Sequence, residues 1–306
     1  MRLRHLISSL LFLAASCAIH GNSDTRRWAM ASGEEFQAEL VSYDESRNEV
    51  VLKFNDVEDH QYTFEDFSMI DQAWLVEWIE FEEQLKLQLE EIGGDFEHLI
   101  TSGSYPTELF VYYPSAASTS IEPLPAIILF HPGGKAARYC MRHMEAAEAT
   151  GLILIACGDF RNTDDDFEKE SAMLARFREI FPQILERIPL DPNKVFMGGT
   201  SGGAWKAFHY SAWVKHPWAG IYSNAGWLGG SQYYHLPYPA GMRVAIVNGN
   251  QDNDSNHEVE PDSKLLDKAG NKIAVIMFEG GHQVLPVHTQ IKAFNWMLNI
   301  EDFQEL

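Results

Sequence analysis

The stretch Asp191–Trp205, "DPNKVFMGGTSGGAW", sets four glycines around one Thr200-Ser201 pair, directly after a short apolar run. Glycine is favoured where the backbone must turn sharply or let another group come close. What comes close here decides the fold. A P-loop needs a lysine directly after its glycines, and none follows at that offset. A dinucleotide fingerprint needs glycine at its first, third and sixth places. Counted from Gly198 the third place is Thr200, and from Gly199 it is Ser201. The register that fits is Gly199-Thr200-Ser201-Gly202-Gly203, a Gly-x-Ser-x-Gly turn between the strand-like "VFM" and a helical run starting near Ala204. Such a turn strains the serine backbone and exposes its hydroxyl beyond the sheet edge. A plain glycine-rich connection can carry the same five residues, so the partners decide.

A serine hydroxyl is a weak nucleophile that needs a base, and the base needs an acid to fix its tautomer. In this kind of site the chain order is serine, acid, histidine. His282 follows the apolar run "KIAVIMF" and the turn "EGG", which puts it at the carboxyl end of a strand. His288 is the fallback, at the start of the final helix. Between serine and histidine, "VAIVNGNQDND" offers Asp252 and Asp254, and Asp252 is preferred because it completes a tight Gly249-x-x-Asp turn. Acyl transfer also needs donors for a developing oxyanion. Gly202, after the serine, supplies one amide. The loop "LFHPGGKA" supplies the other from Gly133 or Gly134, since Pro132 has no N–H. Gly133 is the first choice, with His131 bracing the loop.

The rest of the chain after residue 100 frames these turns. "TELFVYYP", "AIILFHPGG", "LILIACGDF", "KVFMGG", "GIYSNAG", "RVAIVNG" and "KIAVIMF" are apolar runs, and helical segments alternate with the later ones. Near-continuous apolar strands separated by helices imply an α/β fold: a mostly parallel sheet covered on both faces, with ligands beyond the strands' carboxyl ends. Together the four turns resemble the α/β-hydrolase family over residues 100–306. "DPNKVFMGGTSGG" and "EGGHQVLP" are similar to secreted feruloyl esterases, acetyl-xylan esterases and polyhydroxyalkanoate depolymerases, although Pro132 stands where those enzymes more often have the glycine of a His-Gly pair. The resemblance implies a serine esterase acting on polysaccharide-linked or small acyl or aryl esters, with neither cofactor nor metal. A peptidase with the same triad, or a hydrolase-like interaction protein without turnover, are the alternatives. Trp227, Tyr233 and Tyr234 follow a strand end and are expected to line the cleft, stacking on a sugar or phenolic ring.

Residues 24–70 read differently. Apolar residues alternate in "FQAELVSY" and "EVVLKF", with polar turns between, as in short strands closing into a small barrel. Arg27-Trp28, Ser32-Gly33, Phe36, Leu40-Val41, Asp71-Gln72 and Trp78 resemble the SH3-like homology domain first recognised in a yeast actin-assembly protein. That resemblance implies an interaction or spacer module with a protein or surface partner. Residues 71–94 then show helical spacing, ended by Gly93-Gly94.

The N-terminus, "MRLRHLISSLLFLAASCAIHG", has the basic start and short apolar stretch of an export signal over residues 1–18. Periplasmic or extracellular export is the expectation, with lipid anchoring through Cys17 as the variant that "AASC" suggests. No transmembrane segment is expected in the mature chain. An exported pair such as Cys140 and Cys157 can form a disulfide, and two buried thiols are the alternative. A formal charge of −21 opposes binding to nucleic acid.

Overall fold

The computed structural model describes residues 26–44, 46–54, 58–163 and 166–300. The expected export signal and Cys17 lie outside the described residues. The chain begins with β1 (Arg26–Ala29), β2 (Glu35–Asp44), β3 (Glu49–Phe54) and β4 (Glu58–Thr63), an antiparallel sheet in that order. Val50 and Leu52 alternate inward and pack with Trp28, Ala38 and Phe67, all fully buried. The Trp28 indole donates to the Ala38 carbonyl at 2.9 Å. After β4 a 3-10 turn and a bridge between Met30 and Phe67 return the chain to the first strand.

Helix α1 (Met69–Ile92) starts two residues before the expected boundary. Ser68 caps it by accepting the Asp71 amide, and Asp71 is buried there, taking Arg26 Nη2 at 2.5 Å and the Ala29 amide. The carboxylate thus fastens the helix to β1. Leu75 packs into the small sheet's core, whereas Phe81 and Leu85, further along, join the core of the larger sheet. One helix serves both units.

The larger sheet has eight strands: β5 (Asp95–Ile100), β6 (Glu108–Tyr113), β7 (Leu124–Phe130), β8 (Ile153–Cys157), β9 (Leu190–Thr200), β10 (Gly220–Asn224), β11 (Arg243–Gly249) and β12 (Lys272–Phe278). Their order is β12-β11-β10-β9-β7-β8-β6-β5; β6 runs antiparallel to both of its neighbours, β5 and β8, and every other pair is parallel. Helices α2 (Ala136–Thr150) and α6 (Val287–Met297) cover one face. Helices α3 (Phe167–Arg187), α4 (Gly202–Trp213) and α5 (Val259–Lys268) cover the other. Along β7, Ile127 and Leu129 face one layer while Ala126, Ile128 and Phe130 face the other, which is why the strand reads as an unbroken apolar run. Strand order reverses between β7 and β9, so a crevice opens at their carboxyl ends.

The disulfide expectation fails. Cys140 on α2 and Cys157 at the end of β8 are free, buried, and on opposite faces of the sheet, and the sheet between them prevents the close Cβ approach a bridge requires. Burial pushes both thiols up, so neither offers a reactive thiolate. Peptide mapping after alkylation should find both unmodified in the folded protein and both modified in denaturant, with or without reductant. Protection that reductant abolishes would restore the disulfide.

Candidate active site

The glycines of the opening stretch have separate steric causes. Gly198 lies against Tyr222 of β10, where an added Cβ would come within 2.6 Å of the Tyr222 carbonyl oxygen. Gly199 and Gly203 both abut the Phe130 carbonyl of β7, at 2.3 and 2.0 Å from such a Cβ. These close approaches let the chain leave β9 and enter α4 without a loop. Between them Ser201 is held at φ 54°, ψ −122°, a region costly for any residue with a Cβ and one that recurs at functional sites. Its amide donates to Asn224 of β10, and its carbonyl takes the amides of Ala204 and Trp205. The Gly202 amide donates to no protein acceptor among the described residues.

At the end of β11, the Asp252 amide closes a turn onto the Gly249 carbonyl at 3.0 Å. The Asp252 carboxylate is buried and takes the amides of Asp254 and Ser255, the Ser255 hydroxyl at 2.5 Å, and His282 Nδ1 at 3.0 Å. Burial alone would push this carboxyl up; the Ser255 hydroxyl and the His282 ring outweigh it and hold the carboxyl below its ordinary value. Because Nδ1 faces a carboxylate it carries the proton, leaving Nε2 as the ring's free acceptor. The loop bearing His282 is fastened to its neighbours: Asn250 donates to Phe278, Gln251 to Gly280, and Asn224 Nδ2 to the Gln283 carbonyl. Asp254 and His288 are both exposed, His288 in the first turn of α6. Asp252, Asp254 and His282 offer atoms within 4.8 Å of one another, yet the Asp252 oxygens are already engaged by N–H and O–H donors, which suits an orienting acid rather than a cation ligand.

The structure thus sets His282 against Asp252 and leaves Ser201 at the end of β9, two strands away. No hydrogen bond joins the Ser201 hydroxyl to the imidazole. The expected second oxyanion donors are a clearer correction. The Gly133 amide points to His131 Nδ1 at 3.1 Å and the Gly134 amide to the His131 carbonyl at 3.0 Å. His131 does brace this loop, and by doing so it takes both amides. Its Nδ1 is an acceptor here, and burial lowers the ring's pKa, in keeping with a neutral imidazole. Asn162 is the residue that sequence reasoning missed. Its amide ties this stretch to the Pro132 carbonyl, and its carboxamide lies so close to Gly202 that a Cβ there would be 2.0 Å from Oδ1.

A cleft of about 580 Å³ opens beside Ser201, walled by Asn162, Trp205, Trp227 and Tyr233. Tyr234, expected in the same wall, turns away: its ring packs on the core of the α3–α5 face and its hydroxyl donates to Glu258 at 3.2 Å. Adjacent residues in the 3-10 turn Ser231–Tyr233 and after it point in different directions, which separates the two tyrosines. The cleft also reaches a buried ion pair, Lys206 of α4 with Glu170 of α3, at 2.5 Å.

No family model matches the chain, and no curated protein matches it. Solved structures do. The esterase LipW from Mycobacterium marinum is similar with a TM-score of 0.56 and 15% identity, over 72% of this chain and 85% of that one. The hyperthermophilic esterase from Pyrobaculum calidifontis gives 0.55 and 12%, over 72% and 92%. The S-formylglutathione hydrolase of Staphylococcus aureus gives 0.50 and 15%, over 67% and 97%. At such identities the likeness establishes the architecture: the larger sheet with its helices is an α/β-hydrolase fold.

Proposed function

We propose that this chain is an exported serine hydrolase that cleaves carboxylic esters, polysaccharide-linked or small acyl and aryl ones, through an acyl-enzyme. The observation that carries this is the backbone of Ser201, held at φ 54° on the turn between β9 and α4, with the buried Asp252 carboxylate paired to His282 at the ends of β11 and β12. A strained serine costs stability that a mere connection has no reason to bear. The names of the similar solved structures, two esterases and an S-formylglutathione hydrolase, support the same reading.

In this reading Ser201 Oγ attacks the ester carbonyl carbon while His282 Nε2 takes its proton. The imidazolium, stabilised by Asp252, then gives that proton to the departing alcohol. Water repeats the sequence on the acyl-enzyme and frees Ser201. The Ser201–His282 bond closes in the substrate complex, as catalytic hydrogen bonds often do. The oxyanion is met by the Gly202 amide and by the side-chain amide of Asn162, whose rotation about its last bond turns Nδ2 toward the site.

Two measurements test this. A fluorophosphonate probe should label the purified protein and not its Ser201→Ala variant; failure to label a folded wild type would sink the hydrolase reading. Asn162→Ala should lower kcat on para-nitrophenyl acetate on the order of a hundredfold with little change in KM, because an oxyanion donor acts mainly in the transition state. A loss confined to KM would remove Asn162 from that role. The N-terminal sheet is read as the SH3-like interaction or spacer module and α1 as the helix connecting it to the larger unit, and mass analysis of the protein recovered outside the cytoplasm should reveal removal of residues 1–18 or acylation at Cys17.

A further inference from the structure

Asn224 is the last residue of β10, paired with Thr200 at the end of β9, and it is fully buried. Its bonds reach both halves of the site. The Asn224 carbonyl takes the Ser201 amide at 2.9 Å. One N–H of its carboxamide goes to Thr200 Oγ1 at 2.7 Å, one residue before the nucleophile. The other goes to the Gln283 carbonyl at 3.3 Å, one residue after His282. A carbonyl only accepts, so the nitrogen must face Gln283, and this fixes which way the amide points. The orientation has a cost, because Oδ1 is left buried without a donor, and native interiors leave few such atoms unpaired. A side chain that served only to pack the strand end would cost less if it were apolar.

The other hydrogen bonds of residues 279–283 run to the acid's side. His282 Nδ1 meets Asp252, the Gly280 carbonyl takes the Gln251 amide, and the Gly280 amide donates to Asn250 Oδ1 at 3.2 Å. Asn250, Gln251 and Asp252 all follow β11. These bonds place His282 relative to Asp252 and by themselves leave its distance from Ser201 open. Among the described residues, no side chain besides Asn224 bonds both to the turn of Ser201 and to the loop of His282.

The geometry points to Asn224 as a positioning residue: its carboxamide holds the loop of His282 against the turn of Ser201, so that hydroxyl and imidazole meet when substrate binds. This role rests on the serine-esterase reading above and adds to it the part that sets base against nucleophile. Asn224 itself acts through Thr200 and two stretches of backbone. A bond kept only for the fold has a ready comparison beside it. The Tyr139 hydroxyl of α2 bonds the same Thr200 Oγ1 at 2.7 Å, is equally buried, and makes no bond to the histidine loop.

Asn224→Ala should lower kcat on para-nitrophenyl acetate about ten- to a hundredfold with KM unchanged, the loss expected when reacting groups are misplaced by about 1 Å. Tyr139→Phe should leave kcat near the wild-type value. Rates of fluorophosphonate labelling in two backgrounds separate alignment from folding. With His282 present, Asn224→Ala should slow labelling by about tenfold or more. In His282→Ala, where no base is left to align, it should add nothing. Urea unfolding checks that each variant is folded. If Asn224→Ala is not, Thr200→Val takes its place, since it removes one anchor of the carboxamide without opening a cavity. Its kcat must then lie about tenfold below that of Tyr139→Phe, because both variants lose the Tyr139 bond and only one loses the Asn224 bond. An unchanged kcat in Asn224→Ala, an equal loss in Tyr139→Phe, or equal slowing of labelling in both backgrounds overturns the role. These outcomes differ from failure of the esterase reading, in which the wild type takes up no label, turns over no ester, and leaves Asn224 nothing to align.

Discussion

Ser201→Ala and His282→Ala are each expected to lower kcat on para-nitrophenyl acetate on the order of a millionfold, with losses that match. The equality is the informative part. If Ser201 attacks only while His282 takes its proton, either deletion removes the same event, and removing both adds little. Ser201→Ala should not unfold the protein, since its side chain makes no hydrogen bond among the described residues. In the proposed triad Asp252 would act one step back, so Asp252→Asn should cost about ten-thousandfold through the wrong tautomer. It should also cost stability, because an amide nitrogen would face the Ser255 and His282 donors that the carboxylate now accepts. That second cost has a pH signature. The folded pKa of Asp252 is lowered, so its contribution is present above the ordinary carboxylate range and is lost as pH falls through the lowered value. The gap in unfolding free energy between wild type and Asp252→Asn should therefore narrow toward acid. Clearly unequal losses for Ser201→Ala and His282→Ala would break the triad assignment.

What could be read in the sequence leaves its mark on a single segment. The glycines between 198 and 203 are needed where the turn passes Tyr222 of β10, the Phe130 carbonyl of β7 and Asn162, and a run of glycines is visible without knowing those partners. The apolar runs of β7 to β11 are buried on both faces, which leaves an unmistakable imprint, whereas the edge strand β12 leaves Val275 and Met277 exposed. What stayed hidden depends on distant pairs. Glu170 and Lys206 lie on different helices, and each reads as an ordinary charge on an amphipathic segment; only the packing of α3 on α4 makes them a buried pair. Asn162 has no motif at all, and its place beside Gly202 follows from a backbone bond to Pro132. The use of the Gly133 amide was misread because an imidazole two residues earlier can accept it, a competition that spacing does not reveal. The disulfide expectation rested on compartment, whereas a sheet between the two cysteines decided the matter.

Gly203→Ala is expected to be strongly damaging for a single added methyl, lowering unfolding free energy by about 3 kcal/mol or more. The new Cβ would fall 2.0 Å from the Phe130 oxygen, 2.7 Å from its carbonyl carbon and 3.4 Å from the His131 amide. All three are backbone atoms at the end of β7, a central strand, so no side chain can rotate away to relieve the contact. Either α4 lifts off the sheet, which moves Ser201 and Gly202, or the β7 end shifts, which moves His131 and the loop that Asn162 is bonded to. Activity should thus fall further than the folded fraction does. Gly151→Ala is the control. Gly151 ends α2 at φ 69° with nothing within 4 Å of an added Cβ, so it bears only the left-handed backbone cost of about 1 kcal/mol. Urea midpoints at unchanged m-values separate the two cases. If Gly203→Ala unfolds at the same midpoint as Gly151→Ala or above it, the close approach of the nucleophile turn to β7 is wrong, and with it the steric reason for the glycine at the head of α4.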